Sequence, residues 1–210
     1  VYSNALTALQ EQGLVYPCFC TRRAIADEIS RITNAPHGSE GPVYPGTCRK
    51  ISAAERTERI AMKTPHSWRL NCAKAAEACG QLTFRDLLHG VIPVCAEKLG
   101  DVILARRDIA TSYHLAVVTD DAEQQITLVT RGEDLLSSTH IHRVLQNLLG
   151  YPEPLYLHHE LVCDEKGNRL ATRDKARSLA SLRASGFSRT QILEKLPPLP
   201  ALTGNLAGET

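Results

Sequence analysis

Two thiols one residue apart, Cys18 and Cys20 in "YPCFCTR" (16–22), can meet a single metal ion if the backbone between them kinks. Two ligands do not close a tetrahedral zinc site, so two more must come from elsewhere. Downstream, "VYPGTC" (43–48) offers Cys48 on a Pro-Gly turn, Tyr44 four residues earlier, and His37 in the same loop. Three thiolates with His37 make the more conventional set, because a tyrosine must lose a tightly held proton before it binds a cation. Tyr44 stays open as the alternative. A loop this poor in apolar residues has most to gain from a metal clip. Cys72, Cys79, Cys95 and Cys163 have no local partners and read as small hydrophobes.

A second group of residues suits the recognition of a small charged ligand. Arg131 closes the apolar run "QITLVTRGEDL" (125–135), read as a buried strand breaking at Arg131-Gly132. Ligands of open α/β sheets gather at the carboxyl ends of strands, and a guanidinium there can fork onto a carboxylate. The competing reading is a structural ion pair with Glu133 or Asp134. Tyr113 opens the helix expected over "YHLAVVTDD" (113–121), with its hydroxyl available to donate while the ring packs against the core. A plain core tyrosine is the alternative.

The elements that must position these groups follow from periodicity. "SNALTALQEQ" (3–12) puts Leu6 and Leu9 at helical spacing and stops at Gly13. Helices are expected near 21–31 and 52–62, joined by a surface loop through "TNAPHGSEGPVYPGTC" (33–48), and strands at "SWRL" (67–70), "QLTFRDLL" (81–88) and "DVILARR" (101–107). "STHIHRVLQNLLG" (138–150) reads as a helix opening on a Ser/Thr cap, with Ile141, Val144, Leu145, Leu148 and Leu149 on one side and Gly150 at its end. Two more helices are expected at 176–184 and 188–195, before a proline-broken tail.

Composition bounds the function. The 210 residues are 43% hydrophobic and 22% charged, which is ordinary for a folded globular chain. A net charge of +1 excludes a generally basic coat, so a nucleic acid would have to be held by local clusters: Arg22, Arg23, Arg49 and Lys50, or Arg169, Arg173, Lys175 and Arg177. Seven cysteines with no secretory signal argue for free thiols or metal ligands in a cytoplasmic protein. No membrane association is expected, and a monomer is.

Taken in order, "YPCFCTR", "YPGTCR", "SYHLAVVTDD", "TLVTRGEDL", "SSTHIHRVLQNLLG" and "RLATRDKA" resemble the glutamyl-tRNA synthetase family of class I synthetases. The likeness runs from about residue 5 to about residue 182. It implies a structural zinc (Zn2+) site at Cys18, Cys20, Tyr44 and Cys48, which favours Tyr44 over His37. It implies that Tyr113 and Arg131 contact glutamate. "RLATR" (169–173) stands where the class I "KMSKS" loop handles ATP, with Mg2+ expected alongside the nucleotide. Arg169, Leu170, Ala171 and Arg173 fit the family pattern "RLAKRD", but Thr172 replaces its lysine and supplies no charge.

Residues 174–210 leave little room for an anticodon-binding domain, and "RGEDLL" lacks the histidine usual in full synthetases. The nearer likeness is therefore to short paralogues that activate glutamate with ATP and transfer it to queuosine in the anticodon loop of tRNA(Asp). The "HIGH" signature is absent, and too few residues precede Cys18 for a βαβ unit of roughly 30 residues. The expected fold is α/β: the second half of a Rossmann-like catalytic domain, with a zinc-binding insertion and a C-terminal helical region. The expected division is 1–100 for the insertion, its zinc site at about 16–49, then 101–137 for the half-fold and 138–210 for the helical region. On this reading the 210 residues are a truncated form and inactive alone. The alternatives are a catalytically dead, zinc-bound tRNA-binding module and a fragment of a full glutamyl-tRNA synthetase.

Overall fold

The computed structural model describes residues 1–30, 37–38, 41–163, 170, 178–194 and 196. The chain runs through α1 (Tyr2–Glu11), β1 (Val15–Cys18), α2 (Arg22–Ser30), β2 (His37–Gly38), β3 (Gly41–Pro42), α3 (Ala53–Ala61), β4 (Ser67–Leu70), α4 (Cys72–Cys79), β5 (Thr83–Asp86) and β6 (Gly90–Pro93). It continues through β7 (Ile103–Ala105), α5 (Tyr113–Glu123), β8 (Leu128–Gly132), α6 (Leu136–Leu149), β9 (Leu155–His159), α7 (Leu179–Ala184) and α8 (Arg189–Leu193). Short 3-10 turns follow β3, β6 and β8.

Two larger sheets organise the molecule. The first is antiparallel, in the order β1-β4-β7; the second is mixed, in the order β6-β5-β9-β8, with β5, β9 and β8 parallel. β5 and β6 precede residue 100 and yet share this sheet with β8 and β9, so it is drawn from both sides of that position. One apolar core joins the layers. Ala5 and Leu9 of α1 bury one face at i and i+4, and Ile141, Val144 and Leu145 of α6 bury theirs at i, i+3 and i+4. Leu70, Leu104, Leu115 and Val118 complete the same cluster.

Local signals account for most helix ends. Ser52, Asn71, Ser178 and Ser188 each accept a hydrogen bond from the backbone N–H three residues on, and Gln191 reciprocates onto Ser188 in a capping box. α6 departs from expectation. It begins at Leu136, directly after a 3-10 turn over Glu133–Leu135, and no side chain caps it. Ser138 and Thr139 are buried inside its first turns instead. β8 departs too: Leu128 and Thr130 are exposed, because the strand is flanked only by β9 among the described residues. The end of the 33–48 loop is no surface excursion, for Tyr44 and Cys48 pack with Tyr16 and Cys18 in a small second core. β1, β2, β3, α4, β6 and β9 answer to no sequence expectation. The 197–210 tail and the basic residues Arg169, Arg173, Lys175 and Arg177 lie outside the described residues.

Candidate functional site

The carboxyl ends of three adjacent parallel strands meet at one place. β5 ends on Asp86, β8 carries Arg131 one residue before its end, and β9 sets His158 directly opposite Arg131 in register. Each side chain therefore leaves the sheet on a common face. The Asp86 carboxylate lies 2.6 Å from His158 Nδ1 and accepts the backbone N–H groups of Leu88 and His89 on Oδ1 and of His158 on Oδ2.

Ring protons follow from these partners. A carboxylate only accepts, so His158 Nδ1 carries the proton and Nε2 is an acceptor. That acceptor receives Arg131 Nε–H at 3.0 Å. Arg131 also donates through Nη1 to Tyr113 Oη at 3.1 Å and to His142 Nδ1 at 3.2 Å, and through Nη2 to Thr139 Oγ1. His142 Nδ1 then accepts, so its Nε2 donates to His114 Nδ1 at 3.2 Å. Tyr113 is half exposed, and its ring meets the edge of His142 at a centroid distance of 5.4 Å. The guanidinium lies over the Tyr156 ring, 5.5 Å from its centroid.

Among the described residues every hydrogen bond of Arg131 is to a neutral group and no ion pair joins it to Glu133, Asp134 or another carboxylate, although the Asp121 carboxylate feels its charge. The surroundings keep it so. Burial holds His142 well below the ordinary histidine range, with Arg131 and His114 pushing the same way. Burial likewise lowers His158, opposed by Asp86 and reinforced by Arg131. Burial resists the charge on Asp86, but the bonds from His158, Leu88 and His89 outweigh it and its carboxyl is lowered. A half-buried cation ringed by neutral acceptors is suited to an anionic ligand.

The cysteine group forms a separate knuckle. Cys18 ends β1, and Cys48 sits on a 3-10 turn over Thr47–Lys50 that Gly46 enters with φ +79°. That left-handed conformation favours glycine; a Cβ there would meet only the movable end of the Arg49 side chain. The sulfurs of Cys18, Cys20 and Cys48 lie within 4.8 Å of one another, with Cys20 and Cys48 at 3.4 Å. Tyr44 Oη lies 3.4 Å from Cys18 Sγ and 3.6 Å from Cys20 Sγ. Zinc bound to sulfur at about 2.3 Å spaces tetrahedral ligands about 3.8 Å apart, so the donor set fits such an ion. Burial pushes the Cys20 thiol up to about 11 and raises the Tyr44 phenol. Burial also opposes a Cys48 thiolate, but the Phe19 N–H at 3.3 Å, Tyr44 and Cys20 leave Cys48 lowered.

The knuckle is tied to the body by charge. Arg107 donates to the carbonyls of Phe19 and Cys20, and the Arg69 guanidinium stacks 3.9 Å from the centre of the Tyr44 ring. Buried Asp101 accepts from Tyr16 and the Cys72 N–H and pairs with Arg49. A separate cleft of about 560 Å³, lined by Lys63, His66, Trp68, Arg106 and Arg107, includes neither Tyr113 nor Arg131.

Of the residues singled out from sequence, Tyr113 and Arg131 are in contact, and Cys18, Cys20, Tyr44 and Cys48 converge. His37 falls in β2, where its backbone pairs with Pro42. Arg169, Thr172 and Arg173 lie outside the described residues. Sequence reasoning missed Asp86, Thr139, His142 and His158. An alternation signal existed for His158, since "LYLHH" sets Tyr156 and His158 on one face, and both are buried.

The family model described as tRNA synthetases class I (E and Q), catalytic domain, matches residues 1–199, and the chain belongs to that family. A solved glutamate-tRNA synthetase from Elizabethkingia anophelis shares the fold, with a TM-score of 0.67 and 23% identity over 82% of this chain and 35% of that one. Within the family the likeness is to glutamyl-Q tRNA(Asp) synthetases. The one from Rhodobacter capsulatus is 45% identical over 196 residues, 91% of this chain and 70% of the relative. That of Nocardia farcinica is 43% identical over 205 residues, and the chain spans 62% of its length. Among the described residues no helix is long and apolar enough to cross a membrane.

Proposed function

We propose that Arg131 and Tyr113 bind the carboxylate of glutamate in an enzyme that activates this amino acid with ATP and transfers it to queuosine in the anticodon loop of tRNA(Asp). The observation that carries this reading is the Arg131 guanidinium, fixed by four neutral acceptors and joined to no carboxylate among the described residues. Activation joins the glutamate α-carboxylate to the α-phosphate of ATP and releases pyrophosphate. Arg169 and Arg173 are the residues proposed to face the phosphates with Mg2+, and Thr172 contributes a hydroxyl without charge. Cys18, Cys20, Tyr44 and Cys48 would hold a zinc ion, which supplies a cross-link between two chain segments and offers no open coordination position. The relatives named for glutamyl-Q tRNA(Asp) support the choice of substrate and tRNA.

The test is a calorimetric or NMR titration with L-glutamate and L-glutamine. Glutamate saturates the site while Arg131→Gln abolishes binding and leaves the fold intact; equal binding by that variant refutes the reading. A second reading, a zinc-bound tRNA-binding module without catalysis, is favoured by Thr172, which supplies no charge where the family pattern has a lysine. Under it, glutamate-dependent ATP–pyrophosphate exchange is absent. Robust exchange excludes it.

A further inference from the structure

We propose that Asp86 and His158 are positioning residues that aim the Arg131 guanidinium at its ligand. The proposal rests on Arg131 as the carboxylate-binding group, but its central test needs no ligand.

Three features support it. The side chains of Asp86 and His158 are fully buried and meet at 2.6 Å. Asp86 is itself fixed by three backbone N–H groups at the end of β5 and the turn that follows, so its carboxylate cannot swing. The bonded imidazole then presents its second nitrogen to Arg131 Nε, while Thr139 Oγ1 sits 2.9 Å from that same nitrogen and also meets Nη2. An acceptor on Nε and one on Nη2 pin one edge of the guanidinium plane and fix its rotation.

The interposed ring has a physical purpose. An aspartate bonded directly to Arg131 would neutralise the charge that attracts a substrate carboxylate. With an imidazole between them, the buried negative charge supports the guanidinium from one residue away and leaves its positive charge and the second Nη2–H to the ligand. The arrangement works only while His158 is neutral, because an Nε2–H would face the Arg131 Nε–H donor to donor. The groups that bear on His158 are Asp86 on β5, His89 in the following turn, whose Nε2 lies 3.3 Å from the His158 carbonyl, Arg131 on β8, Tyr156 on β9 and His142 on α6. Glu133 and Asp134, in the turn after β8, are exposed. Acid therefore disengages Arg131 Nε as His158 takes up its second proton.

The experiment is 15N NMR of the 210-residue chain in the absence of ligand, followed by glutamate titration. The expected spectrum shows His158 protonated on Nδ1 and bare on Nε2, with a protected Arg131 Nε–H, and both features vanish at the same pH on acidification. His158→Ala loses the protected Nε–H and weakens glutamate about tenfold, as expected for one hydrogen bond to a charged group, and His158→Gln, which restores an acceptor, recovers both. An Nε2-protonated His158, or an Nε–H that stays protected after His158 has titrated, overturns the proposal without recourse to any variant. If the wild-type spectrum is as expected and glutamate does not bind at all, the positioning pair stands and the glutamate reading fails.

Discussion

A guanidinium held by hydroxyls and imidazoles keeps its whole charge for a ligand, whereas one paired with an acid does not. At Arg131 this supports the proposed ligand role over an ion pair, since among the described residues no ion pair joins it to Glu133 or Asp134. Tyr113 contributes less. Its hydroxyl is one of four acceptors and its ring is half exposed, so Tyr113→Phe is expected to weaken glutamate binding by about 1 kcal/mol, the net worth of one hydrogen bond. Its thermal midpoint should match wild type. Calorimetric titration beside a melt checks both; a large fall in the melting midpoint would mean that Tyr113 is a core residue after all. Asp86 and His158 were hidden at this scale because an acid at a strand end and a histidine before a loop are unremarkable until their strands are paired.

At the scale of elements, the knuckle has a small core of its own, while β1 also anchors it in the antiparallel sheet. The knuckle brings β1 to the turn over Thr47–Lys50 around three thiols and one phenol, and its own small core of Tyr16, Cys18, Tyr44 and Cys48 is distinct from the main one. Chelation or Cys48→Ala is therefore expected to raise amide exchange in 15–20 and 43–50 while α6 stays protected, because α6 packs in the other core. Hydrogen exchange by mass spectrometry, with and without a zinc chelator, reads this. Uniform exchange across both regions would join the knuckle to the main core and sink the prediction. Element type was legible wherever one face is buried, as in α1 and α6, but α6 starts without a side-chain cap because Ser138 and Thr139 are buried within its first turns.

Across the whole molecule, buried histidines set the response to acid. Burial lowers His142, with Arg131, His114 and His158 adding to it; burial lowers His158 against the pull of Asp86; and burial, with Lys98, lowers His140. Folded values below the ordinary ~6.5 mean that the unfolded chain binds more protons, so this stability is complete above that pH and is lost as pH falls through the folded values. Asp86, whose folded carboxyl is also depressed, adds a further loss at still lower pH. The thermal midpoint should drop between pH 7.5 and 5.5, and less steeply in His142→Asn; a flat profile would contradict the burial argument. Sequence by itself determined the helix faces and the candidate thiols, because periodicity and ligand chemistry are local properties of the chain, while the α/β class and the choice of Tyr44, Tyr113 and Arg131 came from the ordered family motifs. Only the tertiary structure decided that β9 lies between β5 and β8, which brings Asp86, Arg131 and His158 to one sheet end from positions far apart in the chain. Strand pairing is a non-local choice, and no single segment carries the information about which neighbour it will meet.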